Sequence, residues 1–240
     1  MNYTCIFKRE GFQELSLTMN LPDITLSTLP KIIFQTYFQK DKIPNEVYEN
    51  IKQFAPEYEH KVYDDSDSIQ FLKTYFHESV LHTFLHLEKG PHKADLLRYC
   101  LMYVYGGIYM DIKTELISPL RDIFTDSYTY SVKAYTNDHI YQGVIASPPR
   151  NPMYLHLIRH MIQTGNPSNY HAFCMELMNY IEKESGPIQS GKQGQFYLFE
   201  ERCSRKGEEC YDGLDKWGLC CFIWDKDKPI IKTRRTSYPW

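Results

Sequence analysis

Several features that would settle the class of this chain at once are missing from its sequence. It has no run of 18 consecutive apolar residues, so no membrane-spanning helix is expected. Residues 1–30 interleave charged and apolar side chains too often to hold the apolar core of a secretion signal. No stretch of Lys and Arg is longer than Arg234-Arg235, and 27 basic against 30 acidic residues give a net charge of −3. A nucleic acid would therefore meet no basic field, and any phosphate binding must be local. Gly-x-Ser-x-Gly, the Walker loop and Gly-x-Gly-x-x-Gly are absent, which removes the marks of serine hydrolases, P-loop enzymes and dinucleotide binders. The nine histidines include no His-Glu-x-x-His. Those at helical spacing (His77, His82 and His86, then His156 and His160) read as polar helix faces. Repeats and low-complexity tracts are absent too.

The cysteines are seven, an odd number: Cys5, Cys100, Cys174, Cys203, Cys210, Cys220 and Cys221. Without a leader segment they are expected to be reduced, in a cytoplasmic setting. The group Cys203, Cys210, Cys220 and Cys221 is open to a zinc site or a disulfide, although its spacing fits no common zinc pattern. What the chain has in plenty is aromatic residues, with 20 Tyr and 13 Phe. Tyrosine combines apolar area with a hydroxyl, which suits a core and suits sugar or nucleobase pockets equally.

Apolar runs and breakers predict alternating strands and helices. Residues 1–29 read as an irregular lead-in with one short strand at Leu15–Leu17, and residues 30–240 as one domain whose part from 185 to 240 is rich in loops. Strands are expected at Lys31–Gln35, His60–Tyr63, Ile108–Ile112, Thr129–Ala134, Gly143–Ala146 and Cys221–Trp224. Helices are expected from Pro44 to Phe54, after the acidic turn Asp64–Asp67 with Ser66 or Asp67 as cap, and over 80–87, His92–Tyr105, Met153–Gln163 and Ala172–Lys183. The stretch 185–219 reads as loop. This alternation implies a single α/β domain, a mostly parallel sheet with helices on both faces. In such sheets ligands bind beyond the carboxyl ends of strands, which brings Gln35-Thr36-Tyr37 and Asp111-Ile112-Lys113 into view.

The informative block is KADLLRYCLMYVYGGIYMDIKTE, residues 93–115. Asp95 and Arg98 are three apart on a helix and share a face, while Leu97, Leu101 and Val104 lie on another. Gly106-Gly107 lets the chain reverse tightly, because glycine accepts positive φ and close backbone approach. Beyond it Tyr109, Asp111, Lys113 and Glu115 alternate onto one side of an extended segment. Carboxylates accept hydrogen bonds from sugar hydroxyls, and a guanidinium is a rigid fork of donors for hydroxyl or phosphate oxygens. A strand-end carboxylate can also hold Mg²⁺ or Mn²⁺ against a diphosphate. The plainer reading is a surface i,i+3 ion pair followed by a helix C-cap.

This block resembles the sugar-binding Asp-x-Asp (DXD) region of glycosyltransferase family 32 and its relatives, which include yeast-type mannosyltransferases and clostridial glucosylating toxins. Asp95, Arg98, Gly106, Gly107, Ile108, Tyr109 and Asp111 follow in the family's order. The flanks agree with it: PKIIFQTY (30–37), APEYEHKVYDDSD (55–67), GVIASPPRNPMYLHLIRHMI (143–162) and Ser185-Gly186-Pro187. The resemblance implies a glycosyltransferase-A fold and transfer of a hexose from a nucleotide-diphosphate sugar, UDP- or GDP-linked, to a glycan or glycoprotein acceptor, with retention. It implies that Asp95 and Arg98 bind the donor sugar. Asp111 would touch ribose, sugar or metal, Phe34, Gln35 and Thr36 would border the nucleotide with Tyr109 beside them, and Gln142 and Gly143 would lie near the reacting centre. One departure stands out: the second acid of the Asp-x-Asp pair is Lys113. Either Lys113 replaces the Mn²⁺ or Mg²⁺, or Asp111 holds the metal with help from Glu115, or the chain is an inactive module that binds nucleotide sugar or carbohydrate.

Overall fold

The computed structural model describes residues 3–4, 18–19, 21–23, 28–205 and 218–233. The strand expected at Leu15–Leu17, Cys5, Cys210 and the tail 234–240 lie outside the described residues. Two short strands, β1 (Tyr3–Thr4) and β2 (Thr18–Met19), pair antiparallel apart from the main sheet. The main body runs β3 (Ile32–Thr36), α1 (Asn45–Phe54), β4 (Glu59–Tyr63), α2 (Asp65–Tyr75), α3 (Glu78–His86), α4 (Gly90–Tyr105), β5 (Gly107–Met110) and β6 (Glu115–Leu116). It continues with β7 (Thr129–Lys133), β8 (Ile140–Ser147), α5 (Pro152–Thr164), α6 (Ala172–Ser185), β9 (Gly191–Gln193), β10 (Phe196–Arg205), β11 (Leu219–Asp225) and β12 (Lys228–Lys232).

One sheet orders these strands β4-β3-β5-β8-β7-β10-β11-β12-β6, with β9 beside β10. The sheet is mixed. β3 runs parallel to β4 and to β5, and β7 runs parallel to β10, while β8 lies antiparallel between β5 and β7. The carboxyl ends of β3, β5 and β7 therefore open on one edge. Both faces are covered, as expected for this class. On one, α2 to α6 pack over Phe34, Tyr109, Ile145, Phe196 and Leu198. On the other, Ile51 of α1 and Ala55 just after it join Ile33, Ile108, Met110, Val144 and Ala146. Alternate residues of β3 and β5 thus feed opposite cores, as a period of two requires.

Three local expectations need correcting. The stretch 185–219 is not simply loop, since β10 is a ten-residue strand that joins β7 to the antiparallel end of the sheet. Its Phe196, Leu198 and Phe199 are buried by helices and strands distant in sequence, which local composition does not reveal. The cap of α2 is Asp64 rather than Ser66 or Asp67; Asp64 accepts from the Asp67 amide at 2.9 Å, and Asp67 returns the bond to the Asp64 amide at 3.0 Å. The acidic cluster is thus a capping box. The cysteines are not all reduced either. Cys203 of β10 and Cys221 of β11 face each other across the antiparallel ladder and form a disulfide, and Cys220 is disulfide-bonded as well. Among the described residues, Cys100 and Cys174 are free thiols, and no helix is long and apolar enough to cross a membrane.

The Gly106-Gly107 pair is indispensable to the turn from α4 into β5. Both residues have positive φ, +66° and +89°. A Cβ on Gly106 would sit 2.5 Å from the backbone nitrogen of Pro149, and one on Gly107 would sit 2.7 Å from the Ile32 carbonyl oxygen. Only glycine lets the helix end press against the start of β3 and the end of β8.

Candidate functional site

Helix α4 is buried nearly all round. Every residue from Asp95 to Val104 is inside, so the helix is a central rod between sheet and outer helices, with Leu97, Leu101 and Val104 in the core. Asp95 is 6% exposed and Arg98 5%. Such burial of charge is tolerated only with close compensation, which removes the reading of a solvated i,i+3 pair.

Arg98 is compensated on every side. Its Nη2 lies 3.3 Å from Asp95 Oδ1 and 3.3 Å from Asp111 Oδ1. Its Nη1 donates to the Gln142 carbonyl, its Nε donates to the Ala94 carbonyl at 3.2 Å, and its plane stacks 4.4 Å from the centre of the Tyr109 ring. Asp111 accepts further from the Tyr109 hydroxyl at 3.2 Å, and Lys113 Nζ lies 3.3 Å from its Oδ2. The Tyr109 hydroxyl in turn meets Thr36 Oγ1 at 2.9 Å. One end of α4, the tip of β5 and the tip of β3 are thereby joined into one polar network.

The electrostatics follow from this wiring. Burial would lower the Arg98 pKa, but Tyr109, Asp111 and Asp95 outweigh it and raise the value, so the guanidinium stays charged. Asp95 is pushed up to about 6 by burial, against the pull of Arg98. Asp111 is also raised by burial, yet Arg98, Lys113 and the Tyr109 hydrogen bond hold it below the ordinary carboxylate value. Two acids that touch the same guanidinium thus move in opposite directions, because Asp111 alone also accepts hydrogen bonds from Lys113 and Tyr109. The thiol of Cys174, which accepts from Gln142 Nε2 at 2.8 Å, is pushed up to about 12 by burial and is no thiolate nucleophile.

These residues line a cleft of about 750 Å³, large enough for a nucleotide-sized ligand. Of the residues expected here, Asp95, Arg98, Tyr109, Asp111, Lys113, Gln142, Gly143 and Thr36 line it. Phe34 and Gln35 do not. Phe34 is fully buried in the core, and Gln35, 1% exposed, bridges the Asp111 carbonyl and His60 beneath the floor. Tyr37 and Phe38, one step further along, take the place at the cleft that the sequence assigned to them. The alternation expected from Tyr109 to Glu115 also stops short. β5 ends at Met110, a turn follows in which Thr114 bonds back to the Asp111 carbonyl, and Ile112 drops into the small core with Ile43 and Val47. Glu115 then pairs across from Lys232 and is not part of the cleft lining, so it gives Asp111 no help with a cation.

Several lining residues carried no sequence signal: on the far wall Tyr135, His139, Tyr170 and His171. They sit in turns brought to the cleft only by the sheet order. Tyr99, fully buried beneath the cleft, donates its hydroxyl to Gln142 Oε1. A test for Mn²⁺ or Mg²⁺ fails on the donor set. Both oxygens of Asp111 already face cations, Oδ1 by Arg98 and Oδ2 by Lys113, and an ammonium 3.3 Å from the carboxylate repels a metal ion. Among the described residues the one cluster of three ligand-type side chains is Glu201, Cys203 and Cys221, whose two sulfurs are spent on the disulfide.

Fold and site together define an α/β protein with a polar, charge-lined cleft at the carboxyl ends of β3, β5 and β7. Residues 42–130 match a family model described as glycosyltransferase sugar-binding region containing DXD motif. The chain is 26% identical over 148 residues to an uncharacterized glycosyltransferase of Acanthamoeba polyphaga mimivirus, covering 59% of each chain. It is 31% identical over 137 residues, 55% of its length, to a mannosyl phosphorylinositol ceramide synthase of Saccharomyces cerevisiae, and covers 35% of that protein. With an initiation-specific alpha-1,6-mannosyltransferase of Schizosaccharomyces pombe it shares 27% over 175 residues, covering 69% of this chain and 42% of that one. The chain thus spans less than two thirds of the length of these relatives. The solved PaToxG glycosyltransferase superposes with a TM-score of 0.54 at 14% identity, over 66% of this chain and 70% of that one, which marks a shared fold.

Proposed function

We propose that this chain transfers a hexose from a nucleotide-diphosphate sugar to a saccharide or protein-linked acceptor, with retention. The observation that carries it is the buried charge network in which Arg98 sets Asp95 and Asp111 at the cleft floor while Lys113 stands at its edge. Relatives named as mannosyltransferases favour mannose as the hexose. Asp95 Oδ2 makes no hydrogen bond within the protein among the described residues and is available to a donor-sugar hydroxyl. Arg98 acts by orientation, since its donors are committed to Asp95, Asp111, Gln142 and Ala94.

The leaving group then needs a cation, and Lys113 supplies it. As the bond between the anomeric carbon and the diphosphate oxygen breaks, the Lys113 ammonium neutralises the growing charge, a preorganised electrostatic contribution. The acceptor hydroxyl forms the new bond on the same face, and its proton passes to the departing phosphate oxygen. The reading therefore needs no step through a metal.

A second reading, favoured by the same Lys113, is a module that binds the donor and does not turn it over. The decisive measurement is the melting temperature against UDP, GDP and their sugars, with Mn²⁺, with Mg²⁺ and with EDTA, followed by product analysis. Ligand at a hundred times its dissociation constant stabilises by ~2.7 kcal/mol, a readable shift. One nucleotide class should stabilise the chain equally in EDTA, and its sugar should be transferred or hydrolysed. Binding without turnover across the panel would favour the second reading, and no shift under any condition would end both.

A further inference from the structure

We propose that the cleft wall made by Tyr135, His139, Tyr170 and His171 is the acceptor subsite, and that it seats a pyranose ring of a saccharide; this rests on the donor reading above. In the sheet β5 lies between β3 and β8, and β7 runs in the direction of β5. The turn from β7 to β8 therefore comes up beside the tip of β5 on the side away from β3. Tyr135 and His139 belong to that turn, Tyr170 and His171 to the approach to α6, and all four line the cleft that holds Asp111. The donor network occupies the floor and the β3 side, so this wall faces whatever meets the donor.

Its chemistry alternates in the way a sugar does. Tyr135 is 39% exposed and Tyr170 51%, a large aromatic area left to solvent with no gain to the fold. An aromatic face carries negative charge density and suits the C–H face of a pyranose. Between them stand two imidazoles with ring centres 4.3 Å apart. Asp138 Oδ1 lies 2.6 Å from His139 Nδ1 and accepts its proton, also receiving the Thr136 hydroxyl. That bond fixes the tautomer, and His139 Nε2, with no hydrogen bond among the described residues, is left to accept from a hydroxyl. Burial, and then His139 beside it, keep the His171 pKa below the ordinary value, which favours the neutral ring there. Polar groups so interleaved with rings give no continuous surface for an acyl chain.

The wall is also built rigidly. The Tyr170 carbonyl accepts from His92 Nε2 at 3.1 Å, and His92 is 1% exposed in the first turn of α4. The preceding loop is pinned where Asn166 takes the Glu88 amide at 2.9 Å and donates to the His86 carbonyl at 2.9 Å. Tyr170 is thus held by the helix that carries Asp95.

The test is saturation-transfer NMR on the full chain with methyl α-D-mannopyranoside and methyl α-D-glucopyranoside, with and without the nucleoside diphosphate that raises the melting temperature. Saturation of ring C–H protons is expected with the intact chain. It should fall at least fivefold in Tyr170→Ala and Tyr135→Ala, and severalfold in His139→Gln, while the nucleotide-induced melting shift stays that of the parent. Unchanged saturation in both tyrosine variants, or none with the parent chain, would overturn the subsite while leaving the donor reading intact. Loss of the nucleotide shift in the parent chain would instead strike the donor reading, and pyranoside signals sensitive to Tyr170 would then stand as a saccharide site alone.

Discussion

Lys113 holds its ammonium 3.3 Å from Asp111 Oδ2, in the position where the motif's second acid would stand. With Lys113 as the proposed cation, nucleotide binding is expected to be indifferent to chelation. Lys113→Ala should weaken binding of the preferred nucleoside diphosphate about tenfold, or ~1.4 kcal/mol. Lys113→Asp should weaken it further in EDTA and recover part of the loss with Mn²⁺. Titration calorimetry in both media decides it, and a parent chain that needs Mn²⁺ would refute the role given to Lys113.

Removing Arg98 leaves two acids facing each other at the cleft floor with only Lys113 near one of them. Breaking a buried pair by deleting one partner costs about 3–5 kcal/mol, so Arg98→Ala should lower the denaturant midpoint severely. Arg98→Lys keeps the charge but cannot reach Asp95, Asp111 and Gln142 together. It should fold better and still bind donor poorly, as equilibrium unfolding and calorimetry on the same sample would reveal.

Asp95 and Asp111 make opposite contributions to stability as pH changes. The Asp95 carboxyl is raised from 3.8 to about 6 by burial. It therefore favours the unfolded state at high pH, and that cost fades as pH falls from about 6 toward 4. The Asp111 pKa is lowered despite its burial, through Arg98 and Lys113, so its stabilising contribution is present above the ordinary carboxylate pKa and is lost in acid. Asp95→Asn should thus raise stability at pH 7 relative to pH 5, and donor affinity in the parent should climb as pH rises through 6. Unfolding curves at pH 5, 6 and 7 test the first, nucleotide-sugar titrations the second.

Neither glycine of the α4–β5 turn can be exchanged. Gly107→Ala pairs a positive φ with a Cβ 2.7 Å from the Ile32 carbonyl oxygen, a backbone atom with no freedom to move aside. Strain of this kind costs about 1–3 kcal/mol before the clash is counted. A midpoint within error of the parent would contradict the geometry.

The Cys203–Cys221 bridge closes a sequence separation of 18, for which loop entropy gives about 3 kcal/mol. Reduction should lower the melting temperature while leaving nucleotide binding in place, because neither cysteine lines the cleft. A scan with and without dithiothreitol checks both halves.

Residues 93–111 could be read in advance because their chemistry is local. A helix, two glycines and a short strand bring Asp95, Arg98, Tyr109 and Asp111 together whatever else the chain does. The same reading placed Phe34, Gln35 and Thr36 at the cleft, where Thr36 lines it and Phe34 and Gln35 lie beneath, since the depth of a strand in its sheet depends on partners far along the chain. Strand β10 escaped notice for a related reason: its polar flanks say loop, and only β7 and β11 make it a strand. The cysteine pair was hidden likewise, because a cross-strand partner is a matter of register and not of spacing. Tyr135, His139, Tyr170 and His171 come from two segments that the sheet order alone makes neighbours.

A charge that belongs to the chain cannot leave with the product. A metal ion can depart bound to the nucleoside diphosphate and carry away the attraction that held it, whereas Lys113 stays on its stem beside Asp111. On the proposed mechanism, release would wait for the ammonium to swing from phosphate back to the carboxylate. Asp111 would then be the competitor that ejects the spent nucleotide, and the turnover rate, rather than the bond-breaking step, would record how evenly the two anions share one lysine.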